Sequence, residues 1–181
     1  MIKPRAKKCH ECGNRFMPRN SLTKACSPAC AISIARKEID KAERKANREA
    51  KARLKTRGEW AKEAQAAFNK WVRQRDADKP CVSCGCRTAA QWDAGHYRTV
   101  GGNPELRFEP LNCWKQCSTC NNHLSGNIVN YRKTLVNYIG EAGLDWLEGP
   151  HEAKKYSIDE LKAIKQHYSK LANELEKARA A

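Results

Sequence analysis

The sequence predicts an α+β chain, mostly α, in which small zinc-supported units are joined and flanked by long helices. Three observations lead there. The cysteines fall largely into close pairs, Cys9/Cys12, Cys26/Cys30, Cys81/Cys84 and Cys117/Cys120, at the spacing of metal-binding knuckles. Long stretches lack Gly and Pro and are dominated by Ala, Lys, Arg and Glu, a composition that favours helix. Hydrophobic residues make up 40% of the 181 positions and aromatics 7%, against 30% charged, which argues against one large core and for small units held by metal.

The N-terminal element, residues 1–30, is expected to be a four-cysteine zinc module. Cys9 and Cys12 form a C-x2-C knuckle followed by Gly13, and Cys26 and Cys30 form a C-x3-C pair near the start of a helix. Lys3, Arg5, Lys7, Lys8, Arg15, Arg19 and Lys24 surround it, so the module reads either as a small DNA-touching ribbon or as a folded cap without specific contacts. Residues 31–79 form a basic helical arm. Its first part, 31–57, is a continuous helix whose Ile32, Ile34 and Ile39 would pack on the zinc module, with i,i+4 pairs such as Asp40–Arg44 and Glu49–Arg53 on a solvated face. Whether it lies along a duplex or is a charged spacer is open at this stage. Gly58 is a candidate break. Trp60, Ala64, Ala67, Phe68, Trp71 and Val72 then recur at three and four, the mark of an amphipathic helix. Aromatic residues at that spacing pack in a core more often than they stack on bases.

Residues 80–140 carry the chemistry. Cys81/Cys84 and Cys117/Cys120 are separated by 32 residues and complete a second tetrahedron of sulfurs. Four thiolates leave no open position, so this zinc holds the fold and any reaction belongs to the loop it closes. Two short strands are expected there, one approaching His96 through 89–95 and one near 106–108, with the Gly and Pro of 99–104 making the turn between them. His96 follows Gly95, which would let a backbone or a phosphate come close, and a neutral imidazole can take a proton from water near pH 7. Asp93, Asn121 and His123 offer donors for a hard divalent ion, magnesium or manganese, carried by a short helix from Cys117 back toward His96. Arg98 and Arg107 flank the histidine as candidate phosphate clamps. Cys86 and Cys113 are left over as buried or incidental thiols, Cys86 being placed to compete as a ligand.

A helix starting at Ile128 ends at Gly140, and residues 141–181 form a C-terminal helical region. Ser157 and Glu160 spell a capping box. Behind it Leu161, Ile164, Tyr168, Leu171 and Leu175 make a seam that packs on the chain's own helices or on a second subunit in a homodimer.

The order cysteine pair, His96, Asn112, cysteine pair and Asn121 resembles the HNH (ββα-metal) nucleases, and the junction Cys120-Asn121 is similar to phage endonuclease VII. The longer string Ala94-Gly95-His96-Tyr97, Leu106-Arg107-Phe108, Asn112, Gln116-Cys117, Cys120-Asn121 and Gly126-Asn127 resembles the NinG (Rap) recombination proteins of lambdoid phages over essentially the whole chain. The resemblance implies a ββα-metal core, His96 as general base, Asn112 as the asparagine bracing its loop, and Asn121 as a metal ligand. It also implies a structure-specific endonuclease for branched DNA, such as Holliday junctions and D-loops, acting among phage recombination proteins in the host cytoplasm. In many HNH enzymes the metal ligand directly precedes the base, whereas Gly95 stands there in this chain and the nearest carboxylate is Asp93.

Charge agrees with such a substrate. Residues 1–80 hold 22 of the 35 Lys and Arg but only 9 of the 20 acids, a net of +13 against +2 for the rest. A polyanion is the natural partner. A membrane is disfavoured, because no large apolar face accompanies the charge and no apolar run is long enough to span one. The opening Met-Ile-Lys-Pro-Arg is no secretory signal, so reduced metal ligands are expected rather than disulfides. The competing class is a zinc-finger DNA-binding or recombination-mediator protein without catalysis, in which His96 is structural.

Overall fold

The structure, a computed structural model, describes residues 5–180, so Lys3 lies outside the described residues. The chain divides into two compact units, 1–55 and 56–181. The division falls inside the stretch 31–79 expected to act as one arm, because a capped helix start replaces continuous helix there.

In the first unit, β1 (Lys7–Lys8) pairs antiparallel with β2 (Arg15–Phe16). The knuckle between them closes through Cys9 N–H to the Asn14 carbonyl (2.8 Å) and Gly13 N–H to the Cys9 carbonyl (3.0 Å). Gly13 has φ +74°, a conformation that a side chain disfavours. Helix α1 (Pro28–Leu54) starts where Ser27 Oγ accepts from Cys30 N–H at 3.2 Å and Pro28 supplies a residue that needs no donor. No residue of α1 is buried. Ile32 and Ile39 are exposed, contrary to the expected packing on the zinc module, and Ile34 alone of the three is half-buried. The intrahelical ion pair shown is Lys45–Glu49 at 4.0 Å.

The second unit opens with α2 (Arg57–Arg75). Its start is set not by Gly58, which lies inside the helix, but by a Thr56/Glu59 capping box: Glu59 N–H donates to Thr56 Oγ1 and Thr56 N–H donates to Glu59 Oε2. Trp60, Ala64, Phe68 and Val72 form its buried stripe. That stripe packs against Leu161, Tyr168 and Ala172 of α4 (Ile158–Ala180). Phe68 and Tyr168 meet edge to face at 4.8 Å, and Trp71 lies 4.9 Å from Tyr168, so these rings are core rather than base-stacking platforms. The α4 seam therefore faces its own chain, and the Ser157/Glu160 box caps it reciprocally.

Against α2 lies the hairpin β3 (Trp92–His96) and β4 (Cys113–Cys117), antiparallel with His96 opposite Cys113 and Trp92 opposite Cys117. The second strand is thus Cys113–Cys117, not the expected 106–108. Pro104 and Pro110, each at the first position of a 3-10 turn (Pro104–Leu106 and Pro110–Asn112), remove the N–H groups a strand would need there. All five β4 residues are buried, which hides the alternation that marks a half-exposed strand. Helix α3 (Ile128–Glu148) continues past Gly140 with a kink where that glycine takes φ 72°, ψ 169°. It contributes Tyr131, Leu135, Leu144 and Leu147 to a core shared with Val82, Tyr97, Leu106 and Trp114.

Candidate functional site

Each unit builds one cysteine cluster. In the first, the sulfurs of Cys9, Cys12, Cys26 and Cys30 lie within 4.8 Å of one another, with Cys12–Cys26 at 3.5 Å and Cys26–Cys30 at 3.7 Å. A zinc with sulfurs at about 2.3 Å requires sulfur–sulfur edges of roughly 3.8 Å, so the set fits a tetrahedral zinc. Backbone amides, that of Cys12 foremost, pull the Cys9 thiol down to about 6, while contact with Cys12 and Cys9 pushes Cys26 up to about 12. Four thiols this close cannot all ionise without a cation among them.

In the second unit the sulfurs gathered within 4.8 Å are Cys81, Cys84, Cys86 and Cys117, with Cys84–Cys117 at 3.8 Å. Cys120 is buried beside them and accepts from Asn127 Nδ2 at 3.5 Å. Cys86 is therefore no incidental thiol: the turn after Gly85, held by Cys81 N–H to the Cys86 carbonyl at 2.8 Å, folds it back onto the pair. Five sulfurs surround a position that needs four. Burial opposes ionisation of Cys84, but the Cys86 amide and neighbouring thiols outweigh it and bring Cys84 down to about 7; burial pushes Cys86 and Cys120 up to about 12. Both clusters can hold zinc. Cys113 lies apart from this cluster, opposite His96, its thiol pushed well up by burial.

The hairpin then determines where the reactive residues go. Successive strand residues point to opposite faces, so Asp93 and His96, three apart, lie on opposite faces of β3. On one face Asp93 Oδ2 accepts from Asn121 Nδ2 at 3.2 Å and from Asn122 Nδ2 at 3.0 Å, and Oδ1 accepts from Gln91 Nε2 at 3.0 Å. Asn121 and Asn122 arrive on the short helix expected from about Cys117, which takes the form of a single π-helical turn, Thr119–His123. On the other face His96 packs 6.0 Å from the Phe68 ring; its Nε2 lies 2.9 Å from the Arg107 carbonyl and its Nδ1 3.6 Å from Cys113 Sγ. The carbonyl can only accept, so Nε2 carries the hydrogen and Nδ1 the lone pair. Burial lowers the pKa of His96; the Arg107 carbonyl opposes this and the Arg107 charge adds to it, so the ring is neutral.

The expected convergence of Asp93, Asn121 and His123 on His96 is thus not what the structure shows. Asp93 and Asn121 meet each other, His96 turns to α2, and His123 lines a separate cavity of about 340 Å³ with Cys86, Thr88 and Gln91. Asn112 does brace the histidine loop: its Oδ1 accepts from Arg98 N–H at 2.7 Å and its Nδ2 donates to the carbonyls of Arg98 (3.0 Å) and Leu106 (3.1 Å). Gly95 makes room not for a phosphate but for Gln116, whose Oε1 would lie 2.0 Å from an added Cβ and whose Nε2 is fixed to Ser83 Oγ and the Gly126 carbonyl, both at 2.6 Å. Arg98 turns onto its own loop, bonding Asn103 Oδ1 at 3.3 Å, whereas Arg107 lines a basic cavity. Lys7, Lys8, Arg15 and Arg19 are exposed, with the Lys7 ammonium donating to the Ser21 carbonyl.

Sequence reasoning missed Asn122, Gln116 and Asp76. The repeat Asn121-Asn122 was the signal for the first. Gln116 stands in the string that carries the family resemblance but was given no role there, and Asp76 gave no signal, since an acid at a helix C-terminus runs against expectation.

Among the described residues no helix is long and apolar enough to cross a membrane. No solved structure matches the chain. A family model described as bacteriophage lambda NinG protein matches residues 1–178. Protein ninG of Escherichia phage lambda is 41% identical over 200 aligned residues, covering 99% of this chain and 98% of that one, which makes it a relative of this chain and not the same protein. Protein ninG of Escherichia phage 933W is 40% identical over 198 residues with the same coverage. The chain belongs to the NinG family of bacteriophage proteins.

Proposed function

We propose that the chain is a metal-dependent endodeoxyribonuclease that hydrolyses phosphodiesters in branched recombination intermediates. The observation that carries this reading is the side chain of Asn121, where the resemblance to HNH and endonuclease VII proteins expects a ligand of a divalent ion, bonded to the carboxylate of Asp93, the acid nearest His96 in the chain. Asp93 would hold magnesium or manganese through an oxygen, and a half-turn of the Asn121 amide would present its Oδ1 in place of Nδ2. Such an ion, when bound, supplies positive charge against the phosphate and the departing oxygen. His96 contributes a neutral imidazole whose tautomer is set by the Arg107 carbonyl, leaving Nδ1 free to accept a proton from water once the weakly bonding Cys113 thiol moves aside. Asn112 braces the loop that follows His96 and carries Arg107.

A specific observation favours a second reading, a zinc-bearing DNA-binding protein without catalysis. Both ring nitrogens of His96 are engaged inside the protein, on the face away from Asp93. Cleavage of a four-way junction in magnesium or manganese separates the two. Under the nuclease reading Asp93→Asn and His96→Ala each lower the cleavage rate on the order of 100-fold or more while junction binding persists. Cleavage indifferent to both changes removes Asp93 and His96 as the active site, and none by pure wild-type protein that binds the junction removes the nuclease and leaves the second reading.

A further inference from the structure

The second unit contains a cavity of about 520 Å³ lined by Arg57, Lys62, Arg107, Lys154 and Lys155 beside the ring of Tyr156, with no carboxylate in its wall. Two of the acids nearby are already engaged. Glu59 caps Thr56, and Glu160 caps Ser157 and pairs with Lys154 at 3.6 Å. Arg57, Lys62, Arg107 and Lys155 make no ion pair among the described residues. A cleft lined by charges of one sign focuses their field and draws in a ligand of the opposite sign.

These cations are held by rigid parts of the fold. Arg57 and Lys62 stand on the first two turns of α2, and Arg107 closes a 3-10 turn. Lys154 and Lys155 belong to the segment before α4, pinned by Tyr156, whose hydroxyl donates to the Glu105 carbonyl at 3.0 Å and whose ring meets Phe108 at 5.1 Å. Arg107 ties the cavity to the candidate site, because its side chain lines the wall while its carbonyl holds His96.

We infer that this cleft seats the sugar-phosphate backbone of DNA, with Arg57, Lys62 and Lys155 each neutralising a phosphate on a strand that passes His96. The inference names a binding surface for the proposed substrate, and it rests on that reading for the identity of the polyanion but not on cleavage. The sequence reading named DNA contacts on the first zinc module and on the arginines flanking His96, and gave the basic residues of the first 80 positions a general share of the binding; Arg57 and Lys62 were not singled out, and the segment before α4 was not considered.

The test measures binding of the full-length, zinc-loaded protein to a fluorescent four-way junction across a salt series. Each phosphate contact contributes about −0.9 to the slope of log K against log salt, so Arg57→Ala/Lys62→Ala/Lys155→Ala flattens the slope by about 2 to 3 and weakens binding about tenfold or more at 0.15 M salt. The charge-preserving triple Arg57→Lys/Lys62→Arg/Lys155→Arg restores most of the affinity. All three side chains are exposed, and an unchanged circular dichroism spectrum verifies the fold. An alanine triple that binds with wild-type slope and affinity overturns the cleft and leaves the nuclease reading intact. A wild-type protein that binds junctions through the cleft without cutting them does the reverse, and one that binds no DNA removes both.

Discussion

The two cysteine clusters share their ligand chemistry and differ in everything around them. In the first unit the described residues include only two buried side chains, Cys9 and Pro18, and α1 buries none. In the second unit the cluster sits beneath a hairpin whose β4 is wholly buried, next to a core of eight apolar residues and the α2–α4 stripe. A cysteine cluster is therefore most of what holds one unit together and an addition to a core in the other. The largest expected effect follows. Structural zinc contributes about 10 kcal/mol or more to small domains that lack a core. Chelation should unfold β1, β2 and the knuckles outright while α2, α3 and α4 persist. Amide resonances of residues 5–30 collapsing before those of Tyr131, Leu135 and Tyr168 during a chelator titration would show it, and simultaneous loss of both sets would refute the contrast.

Inside the second unit a single charge matters more than any surface pair. Asp76 is 1% exposed and ends α2, where its carboxylate receives Arg75 (2.6 and 2.9 Å), Lys79 (3.1 Å) and the Lys115 N–H (3.2 Å). It joins α2 to β4 across the hairpin. Removing one partner of a buried set strands the others, at a cost of about 3–5 kcal/mol. Asp76→Ala should lower the denaturant midpoint of the second unit accordingly, without moving that of the first. Exposed pairs such as Lys170–Glu174 at 3.9 Å are worth little by comparison.

How much of this was legible in the sequence depends on where the forces are local. The paired cysteines, the α2 stripe and the Ser157/Glu160 box are short-range patterns, and the structure realises them except that Cys86 rather than Cys120 completes the second set of four sulfurs. The Thr56/Glu59 box is equally local and was passed over in favour of Gly58. What could not be read were pairings decided by distant residues. Cys113–Cys117 is a strand because it is covered on both faces, by α2 on one and by Ser83 and Gly126 on the other. Its position among cysteine knuckles masked it. The candidate site is a different case: Asp93 and His96 stand three apart on a strand that the sequence already predicts, so alternation along that strand by itself sends them to opposite faces.

The contrast between units also predicts how packing defects are felt. Leu135 is fully buried, and Leu135→Ala should cost about 2–5 kcal/mol, the loss of transfer energy plus a cavity. Ile39 on α1 is 58% exposed, and Ile39→Ala should change stability by no more than about 0.5 kcal/mol. Thermal unfolding of the two variants, both zinc-loaded, measures the gap. A large effect at Ile39 would mean that α1 has a partner in solution.

The smallest effect is the response of the His96 contact to acid, and its sign is fixed by the geometry. Burial lowers the pKa of His96 below its unfolded value of about 6.5, because protonating the ring would place a charge beside Phe68, against Arg107 and the neutral Cys113 thiol. Below the unfolded value the unfolded chain then holds more protons at this residue than the folded one. Stability from this group is thus full above about pH 7 and is lost as pH falls through 6.5 toward the depressed folded value. Acid also releases zinc, so the difference between wild type and His96→Gln isolates the contribution. The variant, which cannot titrate, should lose stability less steeply than wild type between pH 7 and 5. A steeper loss in the variant would mean that His96 is charged in the folded protein, with its ring turned out to a carboxylate such as Asp93 instead of resting on α2.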